Sequence, residues 1–236
     1  MRINRYLALC GLGSRRAVEG RIRAGRVRVN GAVAGMASAV GEKDRVEVDG
    51  RPAAPPPEHI YLVLNKPPGT LCSRGDTHGR ETIYGLLPPE HRRLHYVGRL
   101  DRESRGLLLL TDDGALTQSL THPSREVLRE YAVAVDASLS QGEMRRLERG
   151  VETEPGTVLR CAFIRGEGGG YRLGLREGKK REIRRLLSAL GRRVTDLQRV
   201  AFGGIGLGRL PEGAFRPLSE EELAKLRSAA RGKTRG

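Results

Sequence analysis

An α+β chain of two unequal units, the larger built on a mainly antiparallel sheet, is what this sequence predicts, and three observations predict it. Two short helical stripes followed by period-two strands form a complete small unit within the first 50 residues. Four prolines then fall between Pro52 and Pro57, favouring an extended spacer over packed structure. Beyond them, strands and helices mix without the regular alternation that a doubly wound sheet needs. The expected boundaries are 1–50, a Pro-rich linker at 51–58, a body at 59–229, and a basic tail without structure at 230–236. A length of 236 residues suffices for two apolar cores.

The elements follow in chain order. Ile3, Tyr6, Leu7 and Cys10 lie at i, i+3, i+4 and i+7 on one helix face, broken by Gly11-Leu12-Gly13. Ser14 is placed to cap a second helix, with Ala17, Val18 and Ile22 inward and Gly25 as its stop. Arg26-Val27-Arg28-Val29 alternates, Asn30-Gly31 is a hairpin turn, and Val46 and Val48 mark another strand. In the body, Ile60 to Leu64 reads as a strand halted at Pro67-Pro68-Gly69. Leu107 to Leu110 is a buried strand closed by Asp112-Asp113-Gly114, with a short helix from Ala115 to Leu120. Tyr131, Val133 and Val135 alternate along another strand. Ser140 with Glu143, and Ser219 with Glu222, are capping boxes for two helices. Strands are expected near 158–165, 171–176, 194 and 207, and a helix from about Lys180 to Leu190.

Charge narrows the function. Forty-three Lys and Arg against 28 Asp and Glu give +15, which calls for a polyanionic partner such as nucleic acid. Residues 1–51 hold eleven basic and five acidic side chains, a surplus of six. Arg15 and Arg16 fall in the first turn of a helix, where the dipole disfavours cations, so phosphate oxygens are their natural partners. The competing reading is a solvated face. Cys10, Cys72 and Cys161 are too few and too far apart for a disulfide framework or zinc ribbon, and fit a reducing, cytoplasmic setting. No apolar run is long enough for a membrane span. His91 and His95 have helical i, i+4 spacing but no third ligand nearby, so no metal is expected. Gly203-Gly204-Ile205-Gly206 lacks the context of a dinucleotide loop, and no phosphate-binding P-loop motif is present, so no cofactor is expected.

Chemistry concentrates at two places. Gly98 to Gly106 is polar, glycine-bounded, and runs directly into the apolar strand at 107, so Asp101 would be desolvated on one side and open on the other. The bland reading pairs it with Arg99 or Arg102 at the surface. In the helix near 180–190, Ile183, Leu186, Leu187 and Leu190 must face the core. On a wheel of ~100° per residue, Arg184 lies about 60° from Leu187, at the border of that stripe, and a half-buried guanidinium needs an anion. Arg185, Arg181, Lys179 and Lys180 are better placed for phosphates.

Taken together, these residues resemble a known family. Ser14-Arg15-Arg16 through Arg23-Ala24-Gly25-Arg26-Val27-Arg28-Val29-Asn30-Gly31 to Val48 resembles the S4 RNA-binding domain. Asn65-Lys66-Pro67-Pro68-Gly69, Gly98-Arg99-Leu100-Asp101 with Gly106 to Thr111, His122-Pro123, Tyr131, and Glu177 to Arg185 resemble the Rsu family of ribosomal-RNA pseudouridine synthases. The stretches occur in the family's order over almost the whole chain. The resemblance implies a pseudouridine synthase fold and an isomerase acting on a flipped uridine of ribosomal RNA, free or in a pre-ribosomal subunit. It implies catalysis by Asp101 as nucleophile, with Tyr131 and an ion-pairing Arg184. The segments after His122 and around Arg181 look closer to members that modify large-subunit RNA. Glu182 and Asp112 depart from the family, where many members have Gln and Asn.

The expected RNA contacts are Arg15, Arg16, Arg23, Arg26, Arg28, Arg99, Lys179, Lys180, Arg181 and Arg185, in a monomer without metal, cofactor or membrane. The competing class is a non-catalytic S4-domain RNA-binding or ribosome-assembly protein. It explains the first fifty residues equally well but not the Asp101, Tyr131 and Arg184 set.

Overall fold

The computed structural model describes residues 1–13, 15–55 and 58–232. Ser14, expected as a helix cap, Pro56-Pro57 of the spacer, and 233–236 of the basic tail lie outside the described residues. Two compact units emerge: Met1–Ile60 with Asp112–Gly114, and Tyr61–Thr111 with Ala115–Gly236.

In the N-terminal unit, α1 (Ile3–Leu9) and α2 (Arg15–Arg23) precede β1 (Val27–Val29), β2 (Ala32–Val33), β3 (Val46–Val48) and β4 (Arg51–Pro52). The strands form an antiparallel sheet in the order β2-β1-β3-β4. Ile3, Leu7, Val18, Ile22, Val27, Val46 and Val48 close the core, while Ala17, expected inward, faces solvent. Asn30-Gly31 takes positive φ at both residues, 51° and 81°, as a two-residue hairpin turn demands. Asp49-Gly50 does the same, at 53° and 73°.

That second turn corrects the expected linker boundary. It returns Arg51-Pro52 against Val48 and Glu47, and Ala53 N–H donates to the Val46 carbonyl at 2.9 Å. Ala53 therefore belongs to the first core, and the spacer does not begin at 51. Pro52 is tolerated because it sits on an edge strand.

The main unit carries nine strands in one sheet: β5 (Tyr61–Lys66), β6 (His95–Val97), β7 (Arg105–Thr111), β8 (Arg129–Val135), β11 (Phe163–Glu167), β12 (Gly170–Leu175), β13 (Val194–Phe202), β14 (Ile205–Gly206) and β15 (Phe215–Pro217). A separate antiparallel pair consists of β9 (Val151–Glu154) and β10 (Thr157–Leu159). The main order is β11-β12-β8-β13-β7-β5-β15, with β14 added on β13 and β6 on β7. Every pairing is antiparallel except β13 with β7. Four helices pack on this sheet: α3 (Gly114–Thr121), α4 (Gln141–Arg149), α5 (Glu182–Ser188) and α6 (Glu220–Arg231).

Local chemistry explains the elements. Both expected capping boxes form, Ser140 with Glu143 and Ser219 with Glu222. The helix expected over 180–190 is shorter, because Arg181 adopts left-handed backbone at φ 53° and Gly191 stops the chain at φ 71°. Helix α6 continues through Arg231, so the first residues of the expected tail are helical. His91 closes a single 3-10 turn and His95 lies in β6, so their i, i+4 spacing never forms a helical pair.

One core gathers Tyr131, Leu147, Leu173, Ile183, Leu186, Leu187 and Leu197, the other Val63, Leu107, Leu109, Leu120, Phe202, Leu223 and Leu226. Among the described residues no helix is long and apolar enough to cross a membrane.

The topology creates the site. β7 pairs with β13 only at its beginning, through Arg105 and Gly106, and from Leu109 onward β6 occupies that edge. The loop joining β6 to β7 therefore emerges where two neighbouring strands part.

Candidate active site

That loop is 98–104, and Asp101 is its half-exposed centre. A tight turn forms as Ser104 N–H donates to the Asp101 carbonyl at 3.1 Å. The turn is clamped from below by Lys66, the last residue of β5, which is 0% exposed. Its ammonium donates to the carbonyls of Ser104 (2.7 Å), Pro67 (3.0 Å) and Arg102 (3.3 Å). Gly69 N–H donates to the Arg102 carbonyl at 2.8 Å, and Arg102 Nε returns a bond to Gly69 O at 3.1 Å. Burial pushes the Lys66 ammonium below its ordinary value, while Cys72, Asp101 and Glu103 act in the opposite sense. Lys66 and Gly69 thus hold the Asp101 turn through its backbone carbonyls.

Asp101 opens into a cleft of about 500 Å³ that also takes in Tyr131, Arg184, Arg99, Lys179, Lys180 and Arg181. Tyr131 projects from β8 and is 8% exposed. Arg184 reaches the cleft from α5, half-buried as its wheel position requires, with Nη1 donating to the Val194 carbonyl at 3.3 Å. Its Nε is buried and has no partner among the described residues. Among the described residues no ion pair joins Arg184 to Asp101, so the direct pair implied by the resemblance is not closed: Nη1 is occupied by Val194 instead.

Arg185 departs from expectation. It lies outside the cleft, bonded to Thr153 Oγ1 and paired with Glu154, both at 3.1 Å. The wheel placed it opposite the core stripe, but the β9–β10 hairpin covers that side.

The remaining expected RNA contacts differ in how free they are. Arg15 and Arg16 are exposed in the first turn of α2. Arg23 pairs with Glu19 at 3.3 Å, and Arg26 holds Asp49 through two bonds of 2.6 and 2.7 Å. Arg28 donates to the Gly31 carbonyl at 2.7 Å. In the cleft, Lys179 pairs with Glu177 at 2.7 Å and Arg181 with Glu103 at 3.1 Å.

Three cleft residues are not among the expected site residues. Arg129 donates to the carbonyls of Val127 (3.0 Å), Arg176 (3.1 Å) and Glu177 (3.3 Å) and lies over the Phe202 ring; burial lowers its pKa. Glu182, 4% exposed, has its carboxyl pushed up by burial and accepts from Lys179 N–H at 2.9 Å. Arg199 is 1% exposed in β13. The available signal for Arg199 was period two: it shares a strand face with Leu197, so a cation stood at an inward position.

Known proteins align with this arrangement. The family described as RNA pseudouridylate synthase matches residues 60–189. An uncharacterized RNA pseudouridine synthase of Aquifex aeolicus (strain VF5) is 38% identical over 233 residues, covering 96% of this chain and 93% of its own length. The ribosomal large subunit pseudouridine synthase B of Escherichia coli (strain K12) is 42% identical over 241 residues, covering 96% and 82%. A crystal structure of a pseudouridylate synthase superposes with a TM-score of 0.70 at 27% identity, covering 96% of this chain and 99% of its own.

Proposed function

The chain belongs to the RNA pseudouridylate synthase family, and on that premise we propose that it converts one uridine of large-subunit ribosomal RNA to pseudouridine, with Asp101 as the reacting carboxylate. The observation that carries this reading is the convergence of Asp101, Tyr131 and Arg184 on one cleft whose rim is basic.

The reaction breaks the N1–C1′ bond, turns the uracil, and joins C1′ to C5. A proton leaves C5 and N1 ends protonated, so no electrons are gained or lost. The uridine must leave its stack, at a cost of about a few kcal/mol, which phosphate contacts offset. Attack on C1′, addition to C6, and assistance to glycal formation all require an ionised carboxylate at Asp101. Lys66 holds the loop from beneath and Arg184 lines the same cleft. Tyr131 packs against the turned base and assists loss of the C5 proton. Exposed Arg99, Lys180 and Arg181 hold phosphates at the rim, and the N-terminal unit, read as an S4-like RNA-binding domain, adds phosphate contacts through Arg15 and Arg16.

Tritium release from ribosomal RNA labelled at uridine C5 tests the reading. The wild type releases label and Asp101→Asn does not. Release by Asp101→Asn at the wild-type rate would sink the assignment.

A further inference from the structure

The chemistry assigned to Asp101, Tyr131 and Arg184 leaves one buried cation unused. Arg199 Nε donates to the Leu107 carbonyl at 2.7 Å, and Nη2, fully buried, has no partner among the described residues. Among the described residues no carboxylate closes an ion pair on it; its charge rests over the Phe202 ring, 5.3 Å away. Buried guanidinium donors without acceptors are costly, so their persistence points to a partner that arrives with a ligand.

Strand register says where those donors sit. Arg199 stands opposite Tyr131 on β8 and Gly106 on β7. Opposed residues share a sheet face, so Arg199 lies beside Tyr131, and both line the cleft. Gly106 provides the fit. A Cβ there would come within 2.3 Å of the Arg199 carbonyl oxygen and 2.8 Å of its nitrogen, and φ is +105°. β13 can press against the strand leaving the Asp101 loop only because that position has no side chain.

We propose that Arg199 contacts the target base, its unbonded guanidinium N–H donating to a carbonyl oxygen of the pyrimidine held beside Tyr131. This rests on the uridine-isomerase reading given above. Depth selects the ligand chemistry. Charged phosphates keep to the exposed cations at the rim, and the flat, neutral base goes deepest. Arg129, over the same Phe202 ring, has its Nη1 committed to three backbone carbonyls. Uracil presents carbonyl oxygens at C2 and C4, whereas cytosine carries an amine at C4. A fixed cationic donor at O4 therefore rejects cytosine by leaving donor facing donor.

The experiment replaces the target uridine, in an RNA fragment where it has been mapped, with 4-thiouridine or 2-thiouridine. Sulfur is the poorer acceptor. Single-turnover conversion is followed by nucleoside chromatography with full-length wild type, Arg199→Lys and Arg199→Met. The wild type is expected to slow roughly tenfold on one thio-RNA and to stay within about twofold on the other. Arg199→Met should lose roughly 10- to 100-fold in rate on plain uridine RNA, with RNA affinity within about threefold, and show no further loss on the sensitive thio-RNA. Arg199→Lys should retain part of the thio effect.

Equal thio effects in wild type and Arg199→Met would assign the penalty to sulfur's bulk and overturn the contact. If Arg199→Met does not fold, the wild type decides alone, since indifference to both thio-RNAs overturns the contact as well. A wild type unable to convert plain uridine RNA would instead remove the reading of the reaction, and this inference with it.

Discussion

Among the described residues, fully buried cations occur in the main unit and not in the N-terminal one. In the N-terminal unit the cations are exposed apart from half-buried Arg21, which donates to the Leu12 carbonyl, and ion pairs such as Arg23 with Glu19 and Arg26 with Asp49 lie at the surface. In the main unit, Lys66, Arg129 and Arg199 are withdrawn from water and bonded to backbone carbonyls rather than carboxylates. A carbonyl satisfies a donor without cancelling its charge. The first arrangement yields contacts that salt screens readily; the second yields a fixed field around Asp101 that salt reaches poorly. On the proposed reading, affinity falls to the first kind of cation and chemistry to the second.

Five variants, the last of them followed in a pH series, break or sharpen that contrast. Asp101→Asn keeps the shape of the turn and removes its charge, so turnover should fall by on the order of 10⁴-fold while RNA affinity stays within about twofold. Tritium release and filter binding measure the pair, and a parallel loss of both would erase the separation between field and affinity. Next in size, Gly106→Ala must push β13 away, and denaturant unfolding should show about 3 kcal/mol or more of lost stability. An unchanged midpoint would mean that the strands yield easily.

In the N-terminal unit, replacing Arg15 and Arg16 by Ala should weaken RNA binding about tenfold. The slope of log K against log salt should fall by roughly 0.7 to 0.9 for each phosphate no longer held. Arg26→Ala should leave the slope nearly unchanged, because Asp49 already holds both ends of that guanidinium. A slope change for Arg26→Ala matching that of Arg15 would show the Asp49 pair opening for RNA.

The smallest effect is alkaline. Burial raises Cys10 to about 11, Cys161 to about 12 and Tyr84 to about 12, against ordinary values of 9.0, 9.0 and 10.0. The unfolded chain therefore loses these protons first. Their contribution to stability is complete below pH 9 and declines as pH rises towards 12. Cys161→Ala should flatten part of that decline in denaturant midpoints taken from pH 8 to 11, and an unaltered slope would rule the thiol out as a source.

Sequence patterns carried much of the outline. Period two marked Val27, Val29, Tyr131 and Val133, and both capping boxes formed because a Ser three residues before a Glu acts locally. The glycine-bounded run before Leu107 pointed to Asp101, which lines the cleft, and Arg184 is half-buried as the helical wheel placed it, although Arg185, placed opposite, is half-buried too. Where the reading failed, distant neighbours intervened. The Asp49-Gly50 turn drew Arg51 to Ala53 into the first core, and the β9–β10 hairpin captured Arg185.

Local sequence thus determined which segments become strands and helices, where their caps lie, and which polar loop enters a buried strand. These follow from backbone preferences and side-chain period, whose range is a few residues. Tertiary structure alone decided that β13 lies parallel to β7, that Gly106 meets Arg199, and that Lys66, 35 positions before Asp101, holds its turn from beneath. Those contacts join strands remote in sequence, and only the packing of the whole sheet brings them together.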